Sequence, residues 1–516
     1  MNIAIRVDAS LHIGTGHVMR CLTLAEVLRA KGARVVFISR ELPEHLRELV
    51  AGKGIEVVRL GESGTDNTPE QADPSPLAHA SWLGTTQSSD AIKTITAMES
   101  IAPWDWAIVD HYSLDYRWES AVRRVADRIM VIDDLADRKH DCDLLLDQNY
   151  FQDTGKRYQG LLPDKSQTLL GPKYALLRPE FRQARKFCRM RGNGIARVLI
   201  YFGGNDPDNL TGMALGAMND ISLCHLLVDA VIGPNSQHQA QLEKQAANRP
   251  GTYLHIQPEG FTELMLRADI CIGAGGSTTW ERLCLGLPSL VITVAENQVA
   301  FTVELDRDGL VSWIGRKKDI SASDIRKAFV HEIEKLKIQA LFSNAPAPVD
   351  GLGALRVAEK IFPSGKEELS LRKTCREDMD LFYCWANDPF VRENSFQKNP
   401  ISWHEHVAWF NNKLESGLAN ILVMQTRSGL PVGQIRFDRD QEVLNISYSL
   451  DPIARGRGWG GQLIELGSNA VRSTAQGKFI QGKVKTSNPA SMQIFRKHGY
   501  TETLENGVIT FRKSIQ

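Results

Sequence analysis

The chain has 516 residues, too many for a single hydrophobic core, and a size of roughly 100–200 residues per domain predicts three or four domains. It carries 61 Lys and Arg against 61 Asp and Glu, so its formal net charge is zero. This balance argues against general electrostatic binding to nucleic acid or to an anionic membrane. Its hydrophobic content of 42% is that of an ordinary globular protein.

The cysteine pattern and the apolar segments indicate the compartment. The eight cysteines form no CxxC pair, which predicts reduced and mostly buried thiols. The longest apolar run, residues 283–295, is too short to cross a bilayer and contains Pro288. The first residues lack the layout of a secretory signal. We therefore expect a cytoplasmic protein without membrane insertion.

The first part of the chain alternates short β-rich runs with amphipathic stretches. NIAIRVD predicts a strand, GHVMRCLTLAEVLRAKG a helix that ends at Gly32, and ARVVFIS, DWAIVDHY and RIMVIDD further strands. This alternation predicts a doubly wound parallel sheet over residues 1–185. A polar stretch, residues 61–90, interrupts it. That stretch is either a surface insertion or a loop that reaches the active site.

A second α/β domain is predicted over residues 186–361, after the basic connecting segment RQARKFCRMRGNG. Its strands are ARVLIYFGG, HLLVDAVIG, TYLHIQ, ADICIGAGG and PSLVITVA. A charged Pro/Gly linker at 362–368 then leads to residues 369–516, where NILVMQTRSGLPVGQIRFD and EVLNISYSLDP predict a meander of strands. The predicted fold class is α/β, with two Rossmann-like domains followed by an α+β domain.

The turn IGTGHVMR follows the first strand and opens the first helix. Gly14 and Gly16 permit a tight turn, and the exposed amides of a helix start suit an anion. The third glycine of a GxGxxG dinucleotide motif is missing. His17 stands where an open parallel sheet forms its ligand crevice, so it is a candidate base. The alternative is a histidine that only caps or packs the helix.

A second glycine turn lies in ICIGAGGSTTWERLCLGLPSLVI. Its glycines and hydroxyls precede a helix and suit a phosphate group, and a glutamate one turn later can accept hydrogen bonds from a ribose. The alternative is an ordinary βα unit with a glycine turn. The candidate substrate-binding residues are Gly275, Gly276, Ser277, Thr278 and Glu281.

These segments carry a family resemblance over residues 1–353. Residues 275–288 resemble the nucleotide-binding segment of GT-B glycosyltransferases of the MurG type, whose glutamate holds the uridine ribose. Together with IVDHYSLDYRWE, IDDLADRKHDCDLLLDQN, GPKYALLRPEF, YFGGNDPDNLT and AENQ, they resemble the UDP-sugar hydrolases of pseudaminic acid biosynthesis. Those enzymes remove UDP from UDP-2,4-diacetamido-2,4,6-trideoxy-β-L-altropyranose.

The resemblance implies roles for further residues. His17 would be the catalytic base and Asn297 would line the site, with substrate contacts from Gly14, Gly16, Arg20 and Arg178. His17 would deprotonate a water that attacks C1 opposite UDP and inverts the anomeric centre. Since UDP leaves as a stable anion, this mechanism requires no metal.

The last domain contains a third glycine turn, in ISYSLDPIARGRGWGGQLIELG. Its Arg455-x-x-Gly458-x-Gly460 spacing resembles the pyrophosphate arm of GNAT acetyltransferases. VKTSNPASMQIFRKHGY resembles the second CoA motif of that family. The resemblance covers residues 369–516 and implies acetyl-CoA as cosubstrate. The implied contacts are Arg455, Gly456, Arg457, Gly458, Gly460, Asn488 and Ser491.

One position departs from this family. Many GNAT enzymes have a tyrosine as general acid where this chain has Phe495. Glu442, just before the central strand, is the candidate base. The HEH stretch at 404–406 is interpreted as a solvated helix start, not a metal site, because residues i and i+2 do not share a helix face.

The leading hypothesis is a bifunctional enzyme of pseudaminic acid biosynthesis. Its C-terminal domain would acetylate the 4-amine of a UDP-amino sugar, and its N-terminal pair of domains would hydrolyse the product. One alternative is a GT-B glycosyltransferase that uses a UDP-amino sugar. A second alternative is a nucleotide-sugar-binding module in which only the acetyltransferase is active.

Overall fold

The protein is described from a computed structural model that covers residues 1–10, 12–61, 77–101, 103–188, 194–339, 348–362, 367–415, 419–472 and 477–515. The described residues divide into two units, one running up to Ala358 and the other starting at Glu359. The predicted linker at 362–368 lies mostly outside the described residues.

The first unit begins with a seven-stranded parallel sheet of order β3-β2-β1-β4-β5-β6-β7. Helices connect most of its strands, as the alternating pattern predicts, but β5 leads to β6 without one. The elements are β1 Asn2–Val7, α1 Gly16–Ala30, β2 Arg34–Ser39, α2 Glu44–Gly52, β3 Glu56–Arg59, α3 Gln87–Glu99, β4 Trp104–Asp110, α4 Tyr116–Val122, β5 Ala126–Ile132, β6 Leu144–Asp147, α5 Thr154–Arg157, β7 Gln167–Leu170 and α6 Pro179–Arg185.

A six-stranded parallel sheet of order β10-β9-β8-β11-β12-β13 follows in the same unit. Its elements are β8 Arg197–Tyr201, α7 Leu210–Ala217, β9 Leu227–Ile232, α8 Gln239–Asn248, β10 Thr252–Ile256, α9 Phe261–Arg267, β11 Ile270–Ala274, α10 Thr278–Cys284, β12 Ser289–Thr293, α11 Val299–Arg307, β13 Ser312–Arg316 and α12 Ala322–Gln339. The helix α13, Gly353–Ile361, contains the boundary between the two units.

Both sheets reverse their strand order at one point, between β1 and β4 in the first sheet and between β8 and β11 in the second. The central strands are apolar and buried on both faces, as β11 and β12 illustrate. This burial is expected when helices cover both sides of a parallel sheet. The crevice at such a reversal, at the carboxyl ends of the strands, is where open α/β sheets bind ligands.

The second unit has a seven-stranded mixed sheet of order β14-β15-β16-β17-β18-β20-β19. β17 and β18 are parallel neighbours, whereas the other adjacent strands pair antiparallel. The elements are β14 Leu369–Lys373, α14 Met379–Ala386, α15 Pro389–Asn394, α16 Trp403–Glu415, β15 Ala419–Thr426, β16 Pro431–Asp440, β17 Val443–Leu450, α17 Trp459–Arg472, β18 Phe479–Lys485, α18 Pro489–Lys497, β19 Thr501–Glu505 and β20 Val508–Ser514.

The predicted fold class is thus confirmed as two Rossmann-like sheets followed by an α+β domain. The expectation of mostly buried thiols is only half correct. All eight cysteines are free, and Cys21, Cys142, Cys271 and Cys284 are buried, but Cys224, Cys375 and Cys384 are exposed. Within the described residues, no helix combines the length and the apolar character that crossing a membrane requires.

Candidate functional site

The turn that carries His17 lies at the reversal point of the first sheet. β1 ends at Val7, and its neighbour β4 ends at Asp110, which lies in register with Val7. Gly14 has φ of +79°, a left-handed conformation that favours glycine. A Cβ added to Gly16 would lie 4.0 Å from Ser277 Oγ. The first glycine turn therefore approaches the second one across the first unit.

His17 is paired with a carboxylate that the sequence analysis did not single out. Its Nδ1 lies 2.6 Å from Asp110 Oδ1, and both side chains are buried. Burial by itself would raise the pKa of Asp110, but the charges of Arg20 and His17 hold that pKa well below its usual range. An ionised carboxylate can only accept hydrogen bonds, so Nδ1 of His17 carries the proton. In the neutral ring, Nε2 is then the basic nitrogen.

Arg20 holds this carboxylate in place. Its Nε and Nη2 each lie 2.6 Å from Asp110, one on each oxygen, and its Nη1 lies 3.0 Å from Asp134. The Arg20 side chain is 8% exposed. Arg20 was predicted to bind substrate, but the structure places its guanidinium on two carboxylates. Such a bidentate pair fixes the plane of the Asp110 carboxylate against His17.

The second glycine turn is equally constrained. A Cβ on Gly273 would lie 2.6 Å from the carbonyl oxygen of Tyr201, and one on Gly275 would lie 3.1 Å from Thr302 Oγ1. The buried Arg282 donates to the carbonyl of Ala274 at 2.9 Å, which anchors the turn from behind. Close backbone packing therefore requires glycine at Gly273 and leaves little room for a side chain at Gly275.

Glu281 and Arg178, both predicted to bind substrate, lie close together. Arg178 Nη2 lies 3.6 Å from Glu281 Oε1, and Arg178 Nη1 lies 2.9 Å from Glu180. Burial raises the pKa of Glu281 to about 7, against the opposing charge of Arg178. The side chain of Glu281 is 15% exposed, so it can still reach a ligand.

Asn297, from the domain of the second sheet, contacts a residue of the first domain beside His17. Its Nδ2 donates to Tyr112 Oη at 3.4 Å, and the Tyr112 ring meets the His17 ring edge-on at 4.7 Å. Asn297 comes from the segment after β12, whereas His17 follows β1. The two predicted catalytic residues therefore share one neighbour, Tyr112.

Part of the polar stretch 61–90 also reaches this region. The rings of His79 and Trp82 lie 5.2 Å and 5.6 Å from the ring of Tyr112. The described part of this stretch therefore packs against Tyr112, as a loop that reaches the candidate site would, while residues 62–76 lie outside the described residues. Asp110 and Tyr112 could have been found from the sequence, because they end the apolar run of DWAIVDHY.

In the second unit, the glycine turn follows β17 and opens α17. Gly456 and Gly458 both have φ of +76°, and a Cβ on either would meet nothing within 4 Å. Backbone conformation, not crowding, therefore selects glycine at both positions. The space beside the turn at these two positions is open. Gly460 is different, since its Cβ would lie 2.8 Å from Ile494 Cδ1.

The two arginines of this turn have protein partners. Arg455 Nη2 contacts Asp388 at 2.6 Å and the carbonyl of Leu450 at 3.1 Å. Arg457 Nη2 donates to the carbonyl of Glu359. Arg455 is 27% exposed but Arg457 only 10%, so Arg455 is the more accessible to a ligand.

β17 and β18 form a gap next to this turn. Their parallel pairing is recorded only from Val443 to Asn445 on β17 and from Phe479 to Gln481 on β18. Residues 446–450 and 482–485, all within the described part, do not pair with each other. An opening between two adjacent strands leaves backbone amides and carbonyls for an extended ligand.

The predicted CoA residues of α18 stand beside this gap. Asn488 caps the helix by accepting from the Ser491 amide at 3.1 Å. The Ser491 hydroxyl lies 2.8 Å from the hydroxyl of Tyr448 on β17. Phe495, one helical turn after Ser491, is 1% exposed and stacks on Phe511.

Glu442 lies away from the Tyr448 and Ser491 hydroxyls. It lies in the turn before β17 and pairs with Lys478 Nζ at 2.6 Å, with 59% of its side chain exposed. Tyr448 is six positions further along the strand, a distance of about 20 Å at the rise of an antiparallel strand. The side chain that was the candidate base therefore lies at the closed end of the β17–β18 pair.

The HEH stretch at 404–406 is not fully solvated, contrary to the prediction. His404 is exposed on α16, but His406 is buried and its Nε2 lies 2.9 Å from the carbonyl of Met379. The helix start is therefore only partly solvated, because His406 packs among aromatic rings of α14 and α16. In the described part of the chain, no group of three or more His, Cys, Asp or Glu side chains could hold a metal ion.

Comparison with known proteins gives matches to an acetyltransferase domain and to a UDP-sugar hydrolase. Residues 368–501 match the family described as an acetyltransferase (GNAT) domain. The chain is 25% identical over 310 residues to the UDP-2,4-diacetamido-2,4,6-trideoxy-beta-L-altropyranose hydrolase of Campylobacter jejuni, covering 60% of this chain and 97% of that protein.

Two further relatives match other lengths of the chain. An uncharacterized protein of Methanocaldococcus jannaschii is 22% identical over 425 residues, covering 80% of this chain and 78% of that protein. The spore coat polysaccharide biosynthesis protein SpsG of Bacillus subtilis is 27% identical over 191 residues, covering 36% of this chain and 56% of that protein.

Solved structures of acetyltransferases also match a part of the chain. Spermidine N-acetyltransferase from Vibrio cholerae, in complex with CoA and spermine, has 16% identity and a TM-score of 0.27, covering 28% of this chain and 95% of that one. The sequence matches give the conclusion: the chain joins a part homologous to a UDP-sugar hydrolase to a C-terminal GNAT acetyltransferase domain.

Proposed function

We propose that the first unit hydrolyses UDP-2,4-diacetamido-2,4,6-trideoxy-β-L-altropyranose to UDP and the free sugar, with inversion at C1. The observation that carries this proposal is the His17–Asp110 pair, with 2.6 Å between Nδ1 and Oδ1, at the reversal point of the first sheet. Homology to the Campylobacter jejuni hydrolase, over 97% of that protein, supports the choice of substrate.

The proposed mechanism begins with a water molecule at Nε2 of His17. Asp110 accepts a hydrogen bond from the Nδ1–H group, which leaves Nε2 free to remove a proton from the water as the water attacks C1 of the sugar. The imidazolium that forms is stabilised by the ionised Asp110, which Arg20 holds in place. The bond from C1 to the phosphate oxygen breaks, and its electron pair leaves with UDP.

The second glycine turn would hold the leaving group. The backbone amides around Gly276 and Ser277 stand at the start of α10, where a helix favours negative charge. Glu281 would accept hydrogen bonds from the ribose hydroxyls, and Arg178 lies 3.6 Å from its carboxylate. Asn297 and Tyr112 would line the sugar pocket beside His17.

For the second unit, we propose acetylation of the 4-amine of a UDP-4-amino-4,6-dideoxy-altrosamine derivative, with acetyl-CoA as donor. The match of residues 368–501 to the GNAT domain supports acetyl transfer. The open glycine turn at Gly456 and Gly458 and the gap between β17 and β18 would receive the pyrophosphate and the pantetheine arm. The product of this reaction would be the substrate of the first unit.

The decisive experiment measures UDP release from the diacetamido sugar nucleotide with no sugar acceptor present, following both products by NMR. A hydrolase releases UDP at a catalytic rate and yields the inverted free sugar. Replacement of His17 with Asn should lower turnover by ~10²–10⁴-fold and leave UDP binding within about twofold, because the proposed UDP contacts come from the second sheet.

Three results would contradict the proposal. Binding without release would instead indicate a nucleotide-sugar-binding module, and release only after addition of an acceptor would indicate a glycosyltransferase. More than about half of wild-type turnover in the His17→Asn variant would show that His17 is not the base.

A further inference from the structure

The acetyltransferase unit lacks a tyrosine at the position where many GNAT enzymes have their general acid. We propose that Tyr448, supplied by β17, is the catalytic acid that protonates the departing CoA sulfur. This inference rests on the proposed acetyl transfer by the second unit. It concerns a residue that neither the sequence motifs nor the family match assigns.

Phe495 cannot be regarded as an acid site that has merely lost its hydroxyl. Its side chain is 1% exposed, stacks on Phe511 with ring centroids 5.0 Å apart, and packs against β18. A Cβ on Gly482 of β18 would lie 2.6 Å from Phe495 Cζ, so the tip of the ring fills the space against that strand. A hydroxyl at this tip would be buried in the core.

Tyr448 provides a hydroxyl on the open side. It lies in the stretch of β17, residues 446–450, that no longer pairs with β18. Its ring meets the Phe495 ring edge-on at 6.1 Å, and its hydroxyl lies 2.8 Å from the hydroxyl of Ser491. Ser491 is in the first turn of α18, three residues after the helix cap Asn488. The two hydroxyls therefore lie at the opening of the gap.

The protonation state of the phenol suits an acid. Tyr448 is partly buried, and burial raises the pKa of its phenol, with the Ser491 hydrogen bond opposing this shift. A phenol that stays protonated at neutral pH can donate to a thiolate. Because either hydroxyl can be the donor in the Tyr448–Ser491 pair, Ser491 can pass a proton on to the phenolate.

The step balances without any further reactant. The amine nitrogen of the acceptor attacks the thioester carbonyl carbon, and the nitrogen then loses one proton to water. The carbon–sulfur bond breaks with its electron pair on sulfur, and the Tyr448 hydroxyl gives its proton to that sulfur. The phenolate regains a proton from solvent through Ser491. The products are the amide and CoA with a free thiol.

The test replaces Tyr448 with Phe in the full-length protein and follows thiol release from acetyl-CoA with the UDP-4-amino sugar as acceptor. We expect kcat to fall by ~10²-fold, at the lower end for a lost general acid because a thiolate leaves readily. The KM for acetyl-CoA and its calorimetric Kd should stay within about twofold. A loss of kcat with binding intact is the signature of a group that acts on the reacting atoms.

A matched control exists in the same domain. Tyr500 also meets the Phe495 ring edge-on, at 5.0 Å, and its hydroxyl also lies near a serine, 3.2 Å from Ser468 Oγ. Tyr500→Phe should therefore keep kcat within about twofold of the wild type. An equal loss in both variants would assign the effect to packing around Phe495 and overturn the proposal.

The outcomes separate this inference from the proposed function. If the wild-type protein releases no thiol with the UDP-4-amino sugar, the proposed acceptor is wrong. If the wild type is active and Tyr448→Phe keeps more than about half of its kcat, Tyr448 is not the acid. If only the KM for acetyl-CoA rises, Tyr448 is a binding residue and the proposal also fails.

Discussion

Replacement of Asp110 with Asn tests whether the His17–Asp110 pair is the basic centre of the first unit. The change keeps the size of the side chain but removes the charge that His17 and Arg20 share. An amide can present its NH₂ group to Nδ1 of His17, which favours the tautomer with the proton on Nε2. That tautomer cannot accept a proton from water at Nε2.

The magnitude follows from the contacts. Loss of the correct tautomer and of the charge that stabilises the imidazolium should lower kcat by ~10²–10⁴-fold, with little change in KM. Arg20 loses one of its two carboxylates but keeps Asp134 at 3.0 Å. We therefore expect a stability loss of roughly 1–3 kcal/mol, below the ~3–5 kcal/mol of an isolated buried pair that is broken.

The assay is UDP release from the diacetamido sugar nucleotide, with folding followed by circular dichroism and urea unfolding. The matched control is Asp229→Asn. Asp229 contacts Arg197, Arg267 and His255 at 2.6–2.8 Å, but it lies on β9, outside the proposed site. The Asp229→Asn change should lower the stability of the fold and leave kcat unchanged. A folded Asp110→Asn variant with more than a tenth of wild-type kcat would refute the role of the pair.

Three further predictions follow from the same structure. Glu281→Ala should weaken UDP binding by ~1–3 kcal/mol. Burial raises the pKa of Glu281 to about 7 in the free protein, whereas ribose hydroxyls favour the ionised carboxylate. Calorimetry should therefore show that UDP affinity rises through pH 7 more steeply in the wild type than in Glu281→Gln. Gly458→Val should abolish acetyl-CoA binding, because valine is strained at φ of +76°. The same change should leave hydrolysis of the pre-acetylated substrate intact. Loss of both activities in a folded variant would contradict two separate sites. Burial lowers the pKa of His140, but Glu119 and Asp133 outweigh it and raise that pKa to about 9. Protonated His140 should therefore stabilise the fold by up to ~3 kcal/mol below pH 6.5, and this contribution should be lost as the pH rises through 9. Unfolding curves of His140→Gln should lack this pH dependence.

Much of the fold could be predicted from local sequence patterns. The apolar runs of two parallel sheets and the meander of the last domain appear at the expected segments, because strand and helix periodicity is a property of a few consecutive residues. The glycine turns were predicted for the same reason. Gly14, Gly456 and Gly458 adopt left-handed conformations that other residues rarely adopt, so their positions are visible in the sequence itself.

The pairing of side chains depends on strand order, which no local pattern contains. Asp110 reaches His17, 93 residues away, because β4 is the neighbour of β1 at the reversal of the first sheet. The same geometry turns Arg20 towards two carboxylates. Glu442 and Tyr448 illustrate the converse. They are close in sequence, but an extended strand separates them by about 20 Å, so only the tertiary structure decides which one meets Ser491 at the open end.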